Sequence, residues 1–421
     1  MHGMDLNTMI QAMAKDARES ARLLRVAKRA EKDAALAFMA ARILSKKEEI
    51  IKINAKDITL AREKGLNPAM IDRLTLDEKT ITSMILGLHE VAALPDPVGE
   101  VTGMWKRPNG LQVGQIRIPL GVIGFIYESR PNVTVDAAAL CIKSGNAVLL
   151  KGGSESMHSN LILNEILSEA LKKANLPEKS IQVIPYKEHE AVGILLSMDK
   201  YVDIIIPRGG EGLISFVVEN SRIPVLKHFK GVCHIYVDEF ADLEMARKIC
   251  FNAKVQRPGV CNAMETMLVH KNVASSFLPG MIEEFSKAGV EIRACENTLR
   301  LIPNLILAKD SDWPAEYLDL ILAVKIVEDM NEAIDHIERY GSNHTETIVT
   351  NDYKKSQEFL ERVDASVVLI NASTRFNDGF ELGLGAEIGI NTSKLHAYGP
   401  MGLKELTTTK FIVYGSGQVR T

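Results

Sequence analysis

The spacing of apolar residues divides the chain into an all-helical first part and a longer part in which strands alternate with helices. From residue 6 to residue 95, Ala, Leu, Ile and Met recur every three or four positions among Lys, Arg and Glu, as in 34–51. This period is typical of amphipathic helices. Pro95 and Pro97 then predict the end of the last of these helices.

Two segments have the pattern of strands outside this alternation. Residues 113–118 alternate apolar and polar side chains, which predicts an amphipathic strand or the arm of a hairpin that ends at 119–121. Residues 411–414 look like an isolated strand near the C-terminus. Because a lone strand is not stable, this segment must find partners elsewhere in the chain or in another copy.

Between these segments, short and almost wholly apolar runs predict buried strands. The predicted strands are 122–127, 147–151, 180–185, 202–206, 234–237, 266–270 and 367–371. The predicted helices that alternate with them include 133–143, 154–174, 243–252, 331–340 and 352–362, with another helix ending near 288 and an irregular stretch from 303 that leads into a strand ending near 327. This alternation predicts a parallel sheet covered by helices on both faces.

Composition narrows the class of protein. A chain of 421 residues predicts two or three domains, and 46% apolar with 25% charged residues is typical of a soluble globular protein. The net charge of −4 gives no general attraction to nucleic acid or acidic membranes. No basic segment followed by an apolar one begins the chain, and no apolar run has the length of a membrane helix, so we expect a cytoplasmic protein.

One of the five cysteines has an unusual setting. The cysteines at 141, 233, 250, 261 and 295 form no CxxC pair and are odd in number, which argues for a reducing compartment and against a disulfide framework. Within QRPGVCN at 256–262, Pro258 and Gly259 predict a turn at Cys261, and Arg257 favours its thiolate. Most cysteines are small core residues, but the turn and its polar neighbours favour a nucleophile here.

Glycine-rich turns follow two of the predicted strands, at 151–154 and 208–212. Glycine lets backbone amides approach a phosphate, and a helix N-terminus favours an anion. Neither turn matches GxGxxG or GxxxxGK[ST], and glycine pairs after strands are usually no more than turns. The basic residue beside each pair favours a nucleotide.

A further candidate loop, 128–132, follows the strand at 122–127, at the end where open α/β sheets bind ligands. Pro131 predicts an extended turn that leaves Arg130 and Asn132 free to point into a cleft. Asn132 is also a candidate N-cap of the next helix, and both roles are compatible.

The remaining polar loops carry weaker signals. Residues 371–376 offer small polar donors and Arg375, which suit a carboxylate or phosphate. The glycine-rich loop 383–389 is more typical of structure than of catalysis. His336 and His344 lack the spacing of a helical metal pair, and we predict no metal site.

Together these segments resemble the gamma-glutamyl phosphate reductases, a family within the aldehyde dehydrogenase superfamily, from about residue 10 to residue 415. The motifs that carry the resemblance are YESRPNVT at 127–134, IPRGG at 206–210, GVCHIYVD at 231–238, QRPGVCN at 256–262, the stretch 333–346 and GAEIG at 385–389.

The resemblance implies an aldehyde dehydrogenase-like α/β fold. Residues 1–99 and 119–237 would form a Rossmann-like domain for NADPH, and 238–390 a catalytic α/β domain with Cys261. Residues 100–118 and 405–421 would form a small β arm that pairs subunits into a dimer or tetramer.

The implied reaction is the NADPH-dependent reduction of L-glutamyl 5-phosphate to L-glutamate 5-semialdehyde with release of phosphate, the second step of proline biosynthesis from glutamate. Cys261 would attack the acyl phosphate and form a thioester, which hydride then reduces before the hemithioacetal collapses to the aldehyde. The Asn132 side chain and the Cys261 backbone N–H would hold the oxyanion. A transient complex with glutamate 5-kinase would hand over the labile substrate.

The resemblance also implies binding residues. Lys151 would bond the adenosine ribose and Glu316 the nicotinamide ribose, while Ser154, standing where NAD-preferring relatives tend to carry Glu, would avoid repelling the 2′-phosphate of NADPH. The other cofactor candidates are Gly152, Gly209 and Gly210. The substrate candidates, chosen by charge and placement, are Arg130, Arg257, Asn262, Ser373 and Arg375.

One departure from the superfamily concerns hydrolysis. Aldehyde-oxidising members need a general base, and their glutamate would fall within 225–231, which contains no acid. This suits a reductase that must keep its thioester from water, although His228 could serve as a base. Two alternatives stay open: an aldehyde or acyl-CoA dehydrogenase using the same thioester, and a catalytically silent binding protein, against which Cys261 and Asn132 both speak.

Overall fold

The structure, a computed structural model, describes residues 5–227 and 229–420. They form two compact units. The first comprises the described residues up to Lys227, with Gly383–Gly389 and the described residues from Met401 onward. The second comprises the described residues from 229 to 382, with Ile390–Pro400.

The helices are α1 (Leu6–Leu24), α2 (Arg29–Ser45), α3 (Lys47–Glu63), α4 (Pro68–Leu74), α5 (Glu78–Ala93), α6 (Asn132–Lys143), α7 (Met157–Lys173), α8 (Glu190–Leu196), α9 (Glu211–Asn220), α10 (Leu243–Val255), α11 (Lys271–Lys287), α12 (Glu296–Leu301), α13 (Met330–Tyr340) and α14 (Tyr353–Arg362). The predicted helical first part is confirmed by α1–α5, and α5 ends just before the two prolines. The side chain of Asp77 caps α5 by accepting a hydrogen bond of 2.7 Å from the Thr80 N–H.

The strands are β1 (Val101–Lys106), β2 (Gln112–Pro119), β3 (Val122–Tyr127), β4 (Ala147–Lys151), β5 (Ile181–Val183), β6 (Ile204–Arg208), β7 (Cys233–Val237), β8 (Met264–His270), β9 (Glu291–Ala294), β10 (Ile306–Leu307), β11 (Ile321–Val327), β12 (Thr345–Val349), β13 (Val367–Ile370), β14 (Gly389–Asn391), β15 (Gly399–Met401) and β16 (Thr407–Tyr414). The elements that were not predicted from the sequence are strands β9, β10, β12, β14 and β15 and helices α8, α9 and α12.

The first unit contains a parallel sheet with the order β5-β4-β3-β6. Every residue of β3 and β4 is buried, as their apolar sequences predict. After β5 the chain returns to the other side of β3 to form β6. The loops that follow β3 and β6 therefore leave neighbouring strands at the point where the sheet reverses its direction of growth, which is where open α/β sheets bind ligands.

The second unit contains a larger parallel sheet with the order β10-β9-β11-β8-β7-β12-β13. The predicted parallel sheets with helical connections are confirmed. The expected boundary after residue 237 differs from the one observed, because β7 pairs with β8 and β12 and so belongs to this sheet. Gly383–Gly389, expected in the catalytic domain, lies in the first unit instead.

A three-stranded antiparallel sheet forms the predicted arm. Its order is β1-β2-β16, and β16 pairs with β2 from Thr407 opposite Pro119 to Tyr414 opposite Gln112. The isolated terminal strand of the sequence therefore finds its partner in the predicted hairpin of the same chain.

Two buried lysines tie the N-terminal helices to the rest of the first unit. Lys143, at the end of α6, has a fully buried side chain, forms an ion pair with Asp33 of α2 and donates a 2.7 Å hydrogen bond to the Ala92 carbonyl of α5. Lys32, also fully buried, forms an ion pair with Asp96 in the loop after α5. Since a buried charge is costly without its partner, these contacts fix how α2 and α5 pack beside α6.

We expect Lys143→Met to lower the free energy of unfolding by about 2 to 3 kcal/mol, because the partly buried carboxylate of Asp33, which is 30% exposed, loses its ion-pair partner. The double variant Asp33→Asn/Lys143→Met should recover most of this loss, since neither charge then remains. Urea unfolding followed by circular dichroism measures both. Lys47→Met, which removes an exposed pair with Glu78, is the control, with a change within about 0.5 kcal/mol. Equal losses in all three variants would contradict the assignment.

Candidate active site

Cys261 lies on the turn between α10 and β8, as predicted, and is half-buried. Its backbone is held from the side of β7. A Cβ atom added to Gly231 would lie 2.0 Å from the Cys261 carbonyl oxygen, so only glycine permits this close approach. The thiol of Cys233 donates a hydrogen bond of 3.1 Å to the same oxygen. The turn that carries the candidate nucleophile is therefore fixed by packing and by hydrogen bonding.

Three of the other four cysteines differ from Cys261 in burial. Cys141, Cys233 and Cys250 are buried, and burial raises the pKa of each of these thiols. They are suited to the core and not to attack on a substrate. Cys295 is half-buried, like Cys261, but its thiol contacts the Thr298 hydroxyl at 3.3 Å near the start of α12, away from the glycine-held turn.

Two arginines interact electrostatically beside Cys261. The pKa of Arg375 is lowered by burial and by the charge of Arg257, while the negative charges of Asp378 and of the Cys261 thiolate act in the opposite direction. The Arg375 Nε also donates to the Gln256 side chain at 2.9 Å. Two guanidinium groups near a thiol favour its anionic form and attract an anionic substrate.

Asn262 and Ser373 support this cluster. The Asn262 amide donates to the Asn377 carbonyl at 2.9 Å, and its side chain is buried. The Ser373 hydroxyl accepts a hydrogen bond of 3.3 Å from the Arg375 N–H. Of the predicted substrate residues, the structure thus brings Arg257, Asn262, Ser373 and Arg375 together around Cys261. The hydrogen bonds described here for Asn262 and Ser373 are made to other residues of the protein, so these bonds have a structural role.

Glu316 makes a contact that the sequence did not predict. Its carboxylate accepts a hydrogen bond of 2.9 Å from the N–H of Gly231, the residue that packs on Cys261. Glu316 therefore helps to hold the glycine in place. His228, considered above as a base, lies outside the described residues.

The loops at the reversal point of the smaller sheet are joined by hydrogen bonds. Glu128 donates its N–H to the Arg208 carbonyl at 3.2 Å, and its carboxylate accepts a bond of 2.8 Å from the Gly210 N–H. A Cβ atom on Gly209 would lie 2.5 Å from that carboxylate. Packing against Glu128 thus explains the glycine at 209 but not the one at 210, whose added Cβ would lie at an ordinary 3.9 Å from the same carboxylate.

Asn132 is the first residue of α6, and the expectation that its side chain caps this helix is wrong. Pro131 occupies the cap position, and the Asn132 Nδ2 instead donates to the Asp136 carboxylate at 3.3 Å. Arg130, half-buried, precedes the helix and its carbonyl accepts a hydrogen bond from the Val133 N–H. Proline already supplies a suitable φ angle at the cap, which leaves the asparagine amide for other contacts.

Asp136 was missed by the sequence analysis. Burial raises its pKa to about 6, while the charge of Arg208 and the hydrogen bond from Asn132 oppose the shift. The sequence feature that could have identified Asp136 is its spacing, since it stands four residues after Asn132 on a helix and both side chains therefore share one face.

Lys151 ends β4 with a buried side chain, and its Nζ donates to the Gly152 carbonyl at 3.0 Å. Burial lowers its pKa, whereas the charges of Glu155 and Glu188 raise it. An ammonium group has three donors, so Lys151 retains capacity for a ligand hydroxyl at the carboxyl end of a parallel strand. Gly152 has a packing reason as well, because an added Cβ would lie 2.2 Å from the Asn160 amide. Ser154 is exposed. This donor set fits a nucleotide ribose.

Within 5–227 and 229–420, no group of three or more His, Cys, Asp or Glu side chains could hold a metal ion. Over the same residues, no helix is long and apolar enough to cross a membrane.

Comparison with known proteins agrees with this geometry. The aldehyde dehydrogenase family matches residues 4–298. Gamma-glutamyl phosphate reductase of Desulfatibacillum aliphaticivorans is 58% identical over 418 residues, covering 99% of this chain and 100% of that relative. The enzyme of the same name from Geobacter metallireducens is 56% identical over 417 residues, with the same coverage.

Solved structures give the same result. The crystal structure of gamma-glutamyl phosphate reductase from Thermotoga maritima is 46% identical, with a TM-score of 0.97 over 99% of this chain and 100% of that one. An acetylating aldehyde dehydrogenase from Geobacillus thermoglucosidasius, 18% identical with a TM-score of 0.68 over 99% of this chain and 98% of that one, shares the fold. The chain therefore belongs to the aldehyde dehydrogenase family and, within it, to the gamma-glutamyl phosphate reductases.

Proposed function

We propose that this protein reduces L-glutamyl 5-phosphate to L-glutamate 5-semialdehyde with NADPH and releases phosphate, which is the second step of proline biosynthesis from glutamate. The observation that carries the proposal is the half-buried Cys261, on a turn held by glycine packing and flanked by two arginines, in a chain that is 58% identical to a gamma-glutamyl phosphate reductase. The protein acts in the cytoplasm under this proposal.

The first half of the reaction needs only groups of the chain. The Cys261 thiolate attacks the acyl carbon, the bond from that carbon to the phosphate oxygen breaks, and phosphate leaves with the electron pair. Arg257 and Arg375 stabilise the departing phosphate or hold the α-carboxylate, together with Arg130. The Asn132 amide and the Cys261 N–H donate hydrogen bonds to the carbonyl oxygen as its negative charge develops. The product is a thioester on Cys261.

The second half uses the nicotinamide cofactor of the aldehyde dehydrogenase family. When bound, the reduced cofactor supplies the hydride that converts the thioester into the aldehyde and frees the thiol. We assign cofactor binding to the first unit, where Lys151 bonds the adenosine ribose and the turns with Gly152, Gly209 and Gly210 surround the nucleotide. The second unit is the catalytic one, and its Glu316 bonds the nicotinamide ribose.

The lack of an acidic residue in the segment 225–231 limits hydrolysis of the thioester. Residues 225–227 and 229–231 contain no carboxylate that could activate water against the thioester. Phosphate then leaves the acyl group in the forward reaction, and phosphate, not water, attacks the thioester in the reverse reaction.

The three-stranded arm supports pairing between subunits. Its outer strands expose Met104, Trp105, Phe411 and Val413, and the rings of Trp105 and Phe411 meet edge to face at 6.4 Å. A cluster of exposed apolar side chains of this kind is typical of a surface that is covered in an assembly. We therefore assign the arm to a homodimer or homotetramer.

The reverse reaction tests the function. We expect purified protein to form NADPH from NADP⁺ and glutamate 5-semialdehyde only when phosphate is added, measured by absorbance of the reduced cofactor. Formation of NADPH without phosphate would mean that water attacks the thioester and would contradict the proposal, as would dependence on coenzyme A.

Cys261→Ala should lower the rate by a factor on the order of 10³ or more while NADPH still binds. Cys295→Ala, the other half-buried cysteine, is the control and should keep full activity.

Cofactor preference has its own test. We expect Ser154→Glu to reduce the ratio of kcat/KM for NADP⁺ to that for NAD⁺ by at least about tenfold, because a carboxylate there repels the 2′-phosphate. Steady-state kinetics with each cofactor measures the ratio. Ser154→Gln is the control, because glutamine has nearly the same size as glutamate but carries no charge. An unchanged ratio in Ser154→Glu would mean that Ser154 lies away from the 2′-position.

The role of the arm is tested by the oligomeric state. We expect Phe411→Asp, at a side chain that is 64% exposed, to shift the protein toward monomers in analytical ultracentrifugation while its circular dichroism is unchanged. Val419→Asp, beyond the end of β16 and 82% exposed, is the control. If both variants keep the assembly of the unmodified protein, the exposed face of the arm is not the interface.

A further inference from the structure

We infer that Asp136 binds the α-ammonium group of the substrate and thereby selects an amino-acid acyl phosphate over an analogue without the amino group. The inference rests on the proposed function and assigns the one charged group of the substrate that the candidate residues above leave without a partner. L-Glutamyl 5-phosphate carries two anionic groups and one cation. Arg130, Arg257 and Arg375 suit the anions, whereas the ammonium group requires a carboxylate.

The carboxylate of Asp136 has capacity for a cation. It is half-buried, and among the described residues it accepts one side-chain hydrogen bond, the 3.3 Å contact from Asn132. An ionised carboxylate can accept about four. Arg208 acts on it through its charge, but the guanidinium of Arg208 donates to the Ile388 carbonyl at 3.0 Å. Asp136 is thus partly desolvated without a full set of compensating bonds, which an ammonium group would supply.

The spacing along α6 matches the substrate. Asn132, the donor to the reacting carbonyl in the proposed reaction, and Asp136 are four residues apart, a rise of about 6 Å. In glutamyl phosphate, four bonds separate the reacting carbon from the α-nitrogen, which is about 5 Å in an extended chain. A substrate whose carbonyl oxygen faces the Asn132 amide can therefore lie along the helix with its ammonium group at Asp136.

A cavity in the first unit lies beside Asp136. It is lined in part by Asp136 from α6, by Ser83, Gly87 and Glu90 from α5, and by Ala386 and Glu387 from the loop 383–389. Gly87 stands in the interior of a helix, where glycine costs about 1 kcal/mol relative to alanine. A Cβ atom on Gly87 would lie 3.9 Å from an Asp136 carboxylate oxygen, which is an ordinary van der Waals contact, so alanine at this position places a methyl group beside the carboxylate.

A comparison of two aldehydes tests the assignment in the phosphate-dependent reverse reaction. The first is glutamate 5-semialdehyde, and the second is 5-oxopentanoate, which lacks the amino group. We expect Asp136→Asn to lower kcat/KM for the first by about 10- to 100-fold, the loss expected for a hydrogen bond to a charged group, and to change it for the second by less than about threefold. Each variant is compared with the unmodified protein on the same aldehyde, so cyclisation of the first substrate cancels.

Two further variants keep the test decisive. Gly87→Ala leaves the carboxylate in place and fills the space beside it, so it should also discriminate against the amino substrate, even if Asp136→Asn folds poorly. Glu48→Gln, which removes an exposed acid of α3 that does not line the cavity, is the control for general charge and should change neither rate by more than about twofold.

Three outcomes would overturn the inference. Equal losses for both aldehydes in Asp136→Asn would mean that Asp136 acts only by orienting Asn132, and the proposed function would still stand. An equal effect of Glu48→Gln would mean that the overall charge of the protein, and not a specific acceptor, determines the preference for the amino substrate. If the unmodified protein shows no phosphate-dependent activity with glutamate 5-semialdehyde, the proposed function fails and the inference fails with it.

Discussion

The parallel pairing of fully buried strands is the constraint on which both units depend. Parallel strands must be connected by crossovers, so all the strands of a sheet end at the same edge, and the loops that leave this edge are free to carry polar chemistry. In the first unit, Lys151 ends β4, while Asn132 and Gly209 follow the neighbouring strands β3 and β6. In the second unit, Gly231 and Cys261 precede the paired parallel strands β7 and β8, so the candidate nucleophile lies at the amino edge of that sheet. Apolar strand sequences thus determine where the reactive side chains lie.

Close packing then fixes the chemistry at this edge more tightly than loops alone would. Gly231 lies so close to the Cys261 carbonyl that no other residue fits, and the Glu316 carboxylate holds the same glycine by its N–H. The candidate nucleophile is therefore held by groups from elsewhere in the second unit, and a cofactor that engages Glu316 would contact the same hydrogen-bond network.

The sequence predicted most of what depends on local pattern and missed what depends on contacts between distant segments. The strands β3, β4 and β8, the helices α1–α5 and the turn at Cys261 follow from apolar runs, helical periods and a Pro-Gly pair. Strand β9 was missed because Glu291 and Arg293 interrupt its apolar residues at an exposed position of the sheet. The capping role given to Asn132 was wrong because Pro131 occupies that position. The contacts of Glu316 and Asp136 depend on the packed fold, which a linear pattern does not contain.

The path of the chain through the arm has a consequence for biosynthesis of the protein. The central strand β2 precedes its partner β16 in the sequence, and the whole second unit lies between them along the chain. Pairing of such distant segments raises the contact order and slows folding. While the chain is being synthesised, one edge of β2 is therefore unpaired and exposes backbone groups that can pair with other strands. Completion of the arm, and with it any assembly through the arm, must follow synthesis of the second unit.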